Sequence, residues 1–431
     1  MSAADGWDAF EGCGIELEYM LVDAQSLAVR PVADALLREA NGGVDTGDVT
    51  RGALGWSNEL VAHVLELKGV RPVRTLAPLA SSFEAEVGWM NALAARHGAR
   101  LMPSAMHPWM DPARETRLWP HDPSRIYGTY DRIFDCRRHG WANLQSMHVN
   151  LPFGSEPEFV RLHDAVRLAL PILPALAASS PLADGRVTGW LDYRLETYRT
   201  NASAFPAITG QVVPPAVGSF EAYRAQVLEP MYRQIAPVDA HGALAFEWLN
   251  SHGAIARFDR NAIEIRVLDV QECPRADLAV AAATCAVVRA LYETRWRDAG
   301  AQRLGTGRLA ALLRRCMRDA EQALIDDADY LACLGFPGRS CQAQELWRHL
   351  VETLSATPAG RTDQAAGHAA SIGDGIAADW QVPLQRILSQ GTLARRLLRA
   401  AGPQPSRARL VGIARALCDC LAQGRMFEGI D

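Results

Sequence analysis

In Gly14–Asp23, GIELEYMLVD, apolar and acidic side chains alternate with a period of two. Ile15, Leu17, Tyr19 and Leu21 fall on one face of an extended strand, and Glu16, Glu18 and Met20 fall on the other. Two further segments repeat the pattern. In SMHVNLPF, Met147, Val149 and Leu151 alternate with Ser146, His148 and Asn150; in NAIEIRVLD, Ile263, Ile265 and Val267 alternate with Glu264 and Arg266. If the three strands share a sheet, one face packs on a core and the other gathers Glu16, Glu18, His148, Glu264 and Arg266. SNELVAHVLELKG adds Glu59 and Glu66, the latter facing away from Leu65 and Leu67 when 64–68 is extended. One amphipathic strand ordinarily shows its polar face to water. Three that together bring paired carboxylates, an imidazole and a Glu-x-Arg point to a site. Clustered carboxylates repel and are costly to desolvate unless a cation neutralises them, and oxygen-rich sets with one histidine suit hard ions such as Mg²⁺ or Mn²⁺.

The 431 residues are 49% hydrophobic and 22% charged, ample for a buried core and unlike a disordered or disulfide-stapled chain. Basic residues number 44 and acidic 49, for a formal charge of -5, with no basic run, so a nucleic-acid partner has no support. Lys68 is the only lysine, and it follows Leu67. A G-x-x-x-x-G-K-[ST] phosphate loop is therefore absent, and any phosphate must be held by metal ions and arginine forks. The nine cysteines are odd in number and lack zinc-type spacing, which reads as a reducing compartment. MSAADGWDAFEG has no signal-peptide character, so a cytoplasmic protein is expected. No membrane span is expected either, because the longest apolar run, 168–183, is interrupted by Pro171, Pro174 and Pro181.

Helical periodicity predicts helices over 78–97, 158–178, 219–235, 275–292, 309–325, 342–354, 380–400 and 406–422, with a strand over 99–102. Strands and helices alternate in the first part, whereas the remainder reads as nearly all helical. This predicts a domain over 1–300 and a helical extension over 301–431, with a soft boundary near 295–307 and a Gly-rich mobile loop near 355–375. His107 could line the site or support it by hydrogen bonding. Trp141 and Trp190 could stack on a base or simply pack, and Cys418 and Cys420 read as packing thiols.

GIELEYMLVD, the Glu59 and Glu66 pair, MHVNLPF, SSPLADGRVTGWLDYR, FEAYRAQVLEPMYR and EIRVLDVQ occur in the order seen in the glutamate–cysteine ligase type 2 and carboxylate–amine ligase superfamily, which the chain resembles over about 12–292. The resemblance implies an α+β fold whose curved antiparallel sheet forms a glutamine-synthetase-like funnel flanked by helices. It implies metal ligation by Glu16, Glu18, Glu59, Glu66, His148 and Glu264. It also implies a nucleotide-phosphate contact at Arg266, a donor-carboxylate contact at Arg194 beside Tyr193, and a further phosphate contact at Arg186. The activity implied is an ATP- and Mg²⁺-dependent (or Mn²⁺-dependent) ligase making a γ-glutamyl amide through an acyl phosphate, as in glutathione biosynthesis. Its partners would be small amino-acid substrates and ATP, and the resemblance suggests a homo-oligomer. The alternatives are another donor or amine, a metal-dependent hydrolase, or a silent nucleotide-binding member. Acyl phosphate must be shielded from water, and 190–211, rich in Thr, Asn and Gly, reads as the closing loop. After Glu66, many members have a small Thr-Pro or Ala-Pro turn where this chain has Leu67-Lys68-Gly69-Val70-Arg71-Pro72. Beyond about Arg295 no counterpart is expected.

Overall fold

The computed structural model describes residues 6–121, 124–296, 304–355, 372–373 and 375–430. The alternating segments lie where their periodicity places them. They are β1 (Gly14–Asp23), β6 (Ser146–Pro152) and β10 (Ala262–Asp269), joined by β2 (Asp48–Arg51), β3 (Leu54–Asn58), β4 (Val64–Gly69), β5 (Ala99–Met102) and β9 (Ala254–Arg257). A separate small hairpin contains β7 (Leu182–Ala183) and β8 (Arg186–Val187). The main sheet is eight-stranded and antiparallel, in the order β2-β3-β4-β1-β6-β10-β9, with β5 on Met20–Asp23 of β1.

Register turns the three sequence patterns into one surface. Lys68 on β4, Glu16 on β1 and His148 on β6 lie side by side across three strands, and Glu66 lies opposite Glu18. Glu264 faces Asn150, and a bulge between Ile265 and Leu268 resets β10 beside Arg266. The odd-numbered residues Ile15, Leu17, Tyr19 and Leu21 join Met147, Val149, Leu151, Ile263 and Ile265 in one buried core. Phe83, Val87 and Met90 of the helix Ala77–Arg96 and Leu278, Ala281 and Cys285 of Pro274–Tyr292 complete it.

That core does not stop at the expected boundary near 295–307. Leu309, Leu313, Trp347, Leu350, Leu384 and Ile387 belong to it. Met20 and Val22, on the face of β1 that carries Glu16 and Glu18, pack with Leu410, Ile413 and Leu417 of the last helix, Arg407–Gln423. The C-terminal helices therefore cover the end of the polar face that carries no charge.

Several expected elements are divided by residues that break helices. The run 158–178 is the helix Glu156–Ala169, a tight turn at Leu170–Ile172 and a last turn at Pro174–Ala177, because Pro171 and Pro174 lack the amide hydrogen a continuous helix needs. The run 380–400 is two helices, Ala378–Gln390 and Leu393–Ala401, separated at Gly391 with φ +85°. The run 309–325 ends its helix at Asp319, and Leu324–Ile325 pairs instead with Cys341–Gln342. The segment 190–211 is not a loop throughout. It contains the helix Tyr193–Thr200, started by Asp192, whose side chain accepts from the amide of Leu195. The loop expected near 355–375 lies outside the described residues except at Ser355, Ile372, Gly373 and Gly375. All nine cysteines are buried. Among the described residues no helix is long and apolar enough to cross a membrane.

Candidate active site

The polar face of the sheet opens into a cavity of about 630 Å³. Its floor comes from alternate residues of adjacent strands: Glu66 and Lys68 on β4, Glu16 and Glu18 on β1, His148 on β6, and Glu264 and Arg266 on β10. Ser57, Asn58 and Glu59 at the end of β3 form one wall with Asp48 and Tyr127, Arg257 and Arg260 come from the opposite side of the sheet, and Trp248 also lines the cavity. Six carboxylates (Glu16, Glu18, Asp48, Glu59, Glu66, Glu264) thus face four basic side chains (Lys68, Arg257, Arg260, Arg266) and one imidazole.

His148 is the hub. Its Nδ1 is 3.1 Å from Glu16 Oε2 and 3.8 Å from Glu264 Oε1; its Nε2 is 2.8 Å from Ser146 Oγ and 3.9 Å from Glu18 Oε1. Burial disfavours the imidazolium, but the hydrogen bond to Glu16 and the charges of Glu18 and Glu264 outweigh it and raise the pKa. Glu18 accepts from the Ser146 amide at 2.6 Å and from its hydroxyl at 3.0 Å. Burial still pushes Glu18 up, aided by Glu66. Burial also acts on Glu264, yet Arg266 at 2.8 Å, His148 and Arg257 at 3.0 Å pull it down to about 2. Glu66 is likewise buried and is brought below its ordinary value by Lys68, His148 and Ser57. Glu59, half-buried beyond β3, is pushed well up by burial and by Glu18 and Glu66.

The donor set fits a hard divalent ion. Ligand atoms of Glu16, His148 and Glu264 lie within 4.8 Å of one another, as do those of Glu18, Glu66 and His148, so two groups share one imidazole. Excess negative charge, and a carboxylate pushed up in pKa among others, is the state a dication relieves. Asn150, beside Glu264 on the same face, is buried with neither amide atom hydrogen-bonded.

The arginines expected near the donor and the phosphates are placed differently from one another. Arg266 lines the cavity. Arg194 is buried beneath it, ion-paired to Asp269 and 3.4 Å from the carbonyl of Arg266. Tyr193, on the same turn, and Arg186, on the exposed β8, are not among the cavity-lining residues. Among the other expected positions, His107 is buried under Leu27, with Nε2 2.8 Å from its carbonyl. Trp141 packs on Tyr130 and Phe134. Sequence reading missed Arg257, Arg260 and Trp248. The signal available for the first two was the clustering of Arg257, Arg260, Glu264 and Arg266 around one tight hairpin.

A model of the family described as glutamate–cysteine ligase family 2 matches residues 13–410. The chain belongs to glutamate–cysteine ligase family 2. The match runs well past Tyr292, so the C-terminal helices expected to lack a counterpart lie largely within the family's extent. An uncharacterized protein of Archaeoglobus fulgidus is 34% identical over 315 residues, 72% of this chain and 84% of its own. A Nocardioides protein named "Putative glutamate--cysteine ligase 2-1" is 30% identical over 66% of this chain and 69% of its own. The crystal structure of a Francisella tularensis glutamate–cysteine ligase in complex with AMP superposes with a TM-score of 0.61 at 13% identity, covering 98% of this chain and 91% of that one. At that identity the likeness concerns the fold. As a glutamate–cysteine ligase family 2 member, the protein is a carboxylate–amine ligase built on an antiparallel sheet flanked by helices.

Proposed function

We propose that the protein joins the γ-carboxylate of glutamate to an amine such as cysteine, using ATP and Mg²⁺, with Mn²⁺ able to replace Mg²⁺. The observation that carries this reading is the convergence of Glu16, Glu18, Glu66, His148 and Glu264 with Arg266 in one cavity of a family ligase. A carboxylate is a poor electrophile. Transfer of the γ-phosphoryl group of ATP to it leaves ADP and an acyl phosphate; the amine then attacks the acyl carbon, phosphate departs, and the amide remains. Such a sequence needs no enzyme nucleophile, but it needs positioning and charge neutralisation. When bound, the divalent ion would neutralise phosphate charge and align the reacting oxygens.

The chain's own residues account for the rest. Glu16, Glu18, Glu66, His148 and Glu264 would hold the metal, with Glu59 reaching it from the wall. Arg266, its charge reinforced by Tyr198, Glu264 and Glu18 against the cost of burial, would meet the phosphates with its planar fork. Arg194 would act with Tyr193 on the donor side, paired with Asp269 and donating directly to the carbonyl of Arg266. Arg186 would serve only a phosphate extending beyond the cavity. Phosphate release from Mg-ATP, measured with and without L-glutamate and across a panel of amines including L-cysteine, tests this. Release that requires glutamate and rises with one amine is expected. Turnover with metal alone would mean a hydrolase, and no release with any combination would sink the ligase assignment.

A further inference from the structure

We propose that Lys68 is the built-in counter-ion of the acidic cavity, holding Glu66 until a divalent ion displaces it; this rests on reading the acidic set as a metal site. Lys68 is the only lysine among 44 basic residues, and it lies beside Glu16 on the charged face of β4. Its Nζ is 2.7 Å from Ser57 Oγ, 2.9 Å from Glu66 Oε1 and 3.4 Å from Asp48 Oδ2. Two hydrogen bonds and one longer ion pair thus surround the ammonium.

Glu66 is also one corner of the Glu18–Glu66–His148 group. The other cations are committed elsewhere: Arg257 and Arg266 contact Glu264, and Arg260 lies 3.7 Å from Glu16. Arginine would lock onto a carboxylate with a rigid fork, whereas lysine carries a compact charge on a flexible stem that can withdraw. A dication on either oxygen of Glu66 and an ammonium 2.9 Å from its Oε1 repel one another. The two therefore compete for one carboxylate, and Lys68 sets how tightly the site takes metal.

The test is Mn²⁺ titration of the substrate-free protein, read from the electron paramagnetic resonance of free Mn²⁺, for wild type, K68M, K68Q and K68R. Removal of the charge in K68M and K68Q is expected to tighten Mn²⁺ binding about tenfold, whereas K68R, whose fork stays on Glu66, is expected to bind Mn²⁺ no more tightly than wild type. Mn²⁺ should also raise the melting temperature of K68M more than that of wild type. Equal binding overturns the proposal, and so does weaker binding by K68M and K68Q, which would make Lys68 an orienting partner of Glu66. If K68M does not fold, K68Q against K68R makes the same comparison. Neither nucleotide nor amino acid is present, so a failure of the ligase reading leaves this result standing. Absence of Mn²⁺ binding in all four proteins overturns the metal reading and the proposal together.

Discussion

The cavity and the interior beneath the C-terminal helices both bury charge, and they do so on opposite principles. Beneath the helices, Arg396 meets Glu272 one to one: Nη1 donates to Glu272 Oε1 at 2.6 Å and to the carbonyl of Phe427 at 2.8 Å. Both side chains are almost fully buried. In the cavity six carboxylates share four cations and an imidazole. The histidines repeat the contrast. His148 is raised by surrounding carboxylates despite burial, whereas burial pushes His63, His107, His163 and His252 down to about 4, 4, 3 and 4. Charge matched to charge is architecture. Unmatched negative charge held in place by a rigid sheet is the arrangement a bound cation would complete.

The comparison breaks first at Glu16. E16Q should lower ATP-dependent product formation by about 10²- to 10³-fold while leaving thermal unfolding nearly unchanged. A variant with normal turnover would put the metal elsewhere. At the matched pair the expectation inverts. R396M leaves Glu272 buried without its partner, so urea unfolding should show a loss of about 3 to 5 kcal/mol while activity per folded molecule is retained.

Acid supplies a third test. The folded pKa values of the four buried histidines lie below that of an unfolded histidine, so the unfolded chain takes up protons that the folded chain refuses. Their contribution is complete above about pH 6.5 and is lost as pH falls towards about 4. His163 has neither ring nitrogen hydrogen-bonded and sits against Phe159 and Tyr223. H163F should therefore keep about 2 kcal/mol more of its neutral-pH stability at pH 5 than wild type does. Parallel pH profiles for the two proteins would show that His163 is not held neutral. The smallest effect is expected at the rim: R186A should raise the KM for ATP less than about threefold, against more than about tenfold for R266A. Equal effects would extend the phosphate site out to β8.

What could be read in the sequence follows the same division. β1, β6 and β10 were legible because a two-residue period places Glu16, His148 and Glu264 on one face whatever the neighbouring strands do. The site's floor was therefore visible before its walls. Arg257 ends β9 and Arg260 lies in the turn to β10, where periodicity lapses, and only the register that sets Arg257 opposite Ala262 brings Arg257 to Glu264 and Arg260 to Glu16. Arg194 was recognisable as a residue but not as one buried against Asp269, since 75 positions separate them. The helix Tyr193–Thr200 was hidden because its composition is polar and its start depends on one capping aspartate. The C-terminal helices could be counted approximately, but their packing on Met20 and Val22 could not, because nothing local records a contact with β1.

The most direct test of the central claim follows oxygen. Glutamate labelled with ¹⁸O in its γ-carboxylate is incubated with the protein, Mg-ATP and the amine that stimulates phosphate release, and the phosphate is analysed by mass spectrometry. One labelled oxygen in each phosphate released is expected, because the acyl phosphate leaves with an oxygen from the donor. Phosphate released without label would contradict the account.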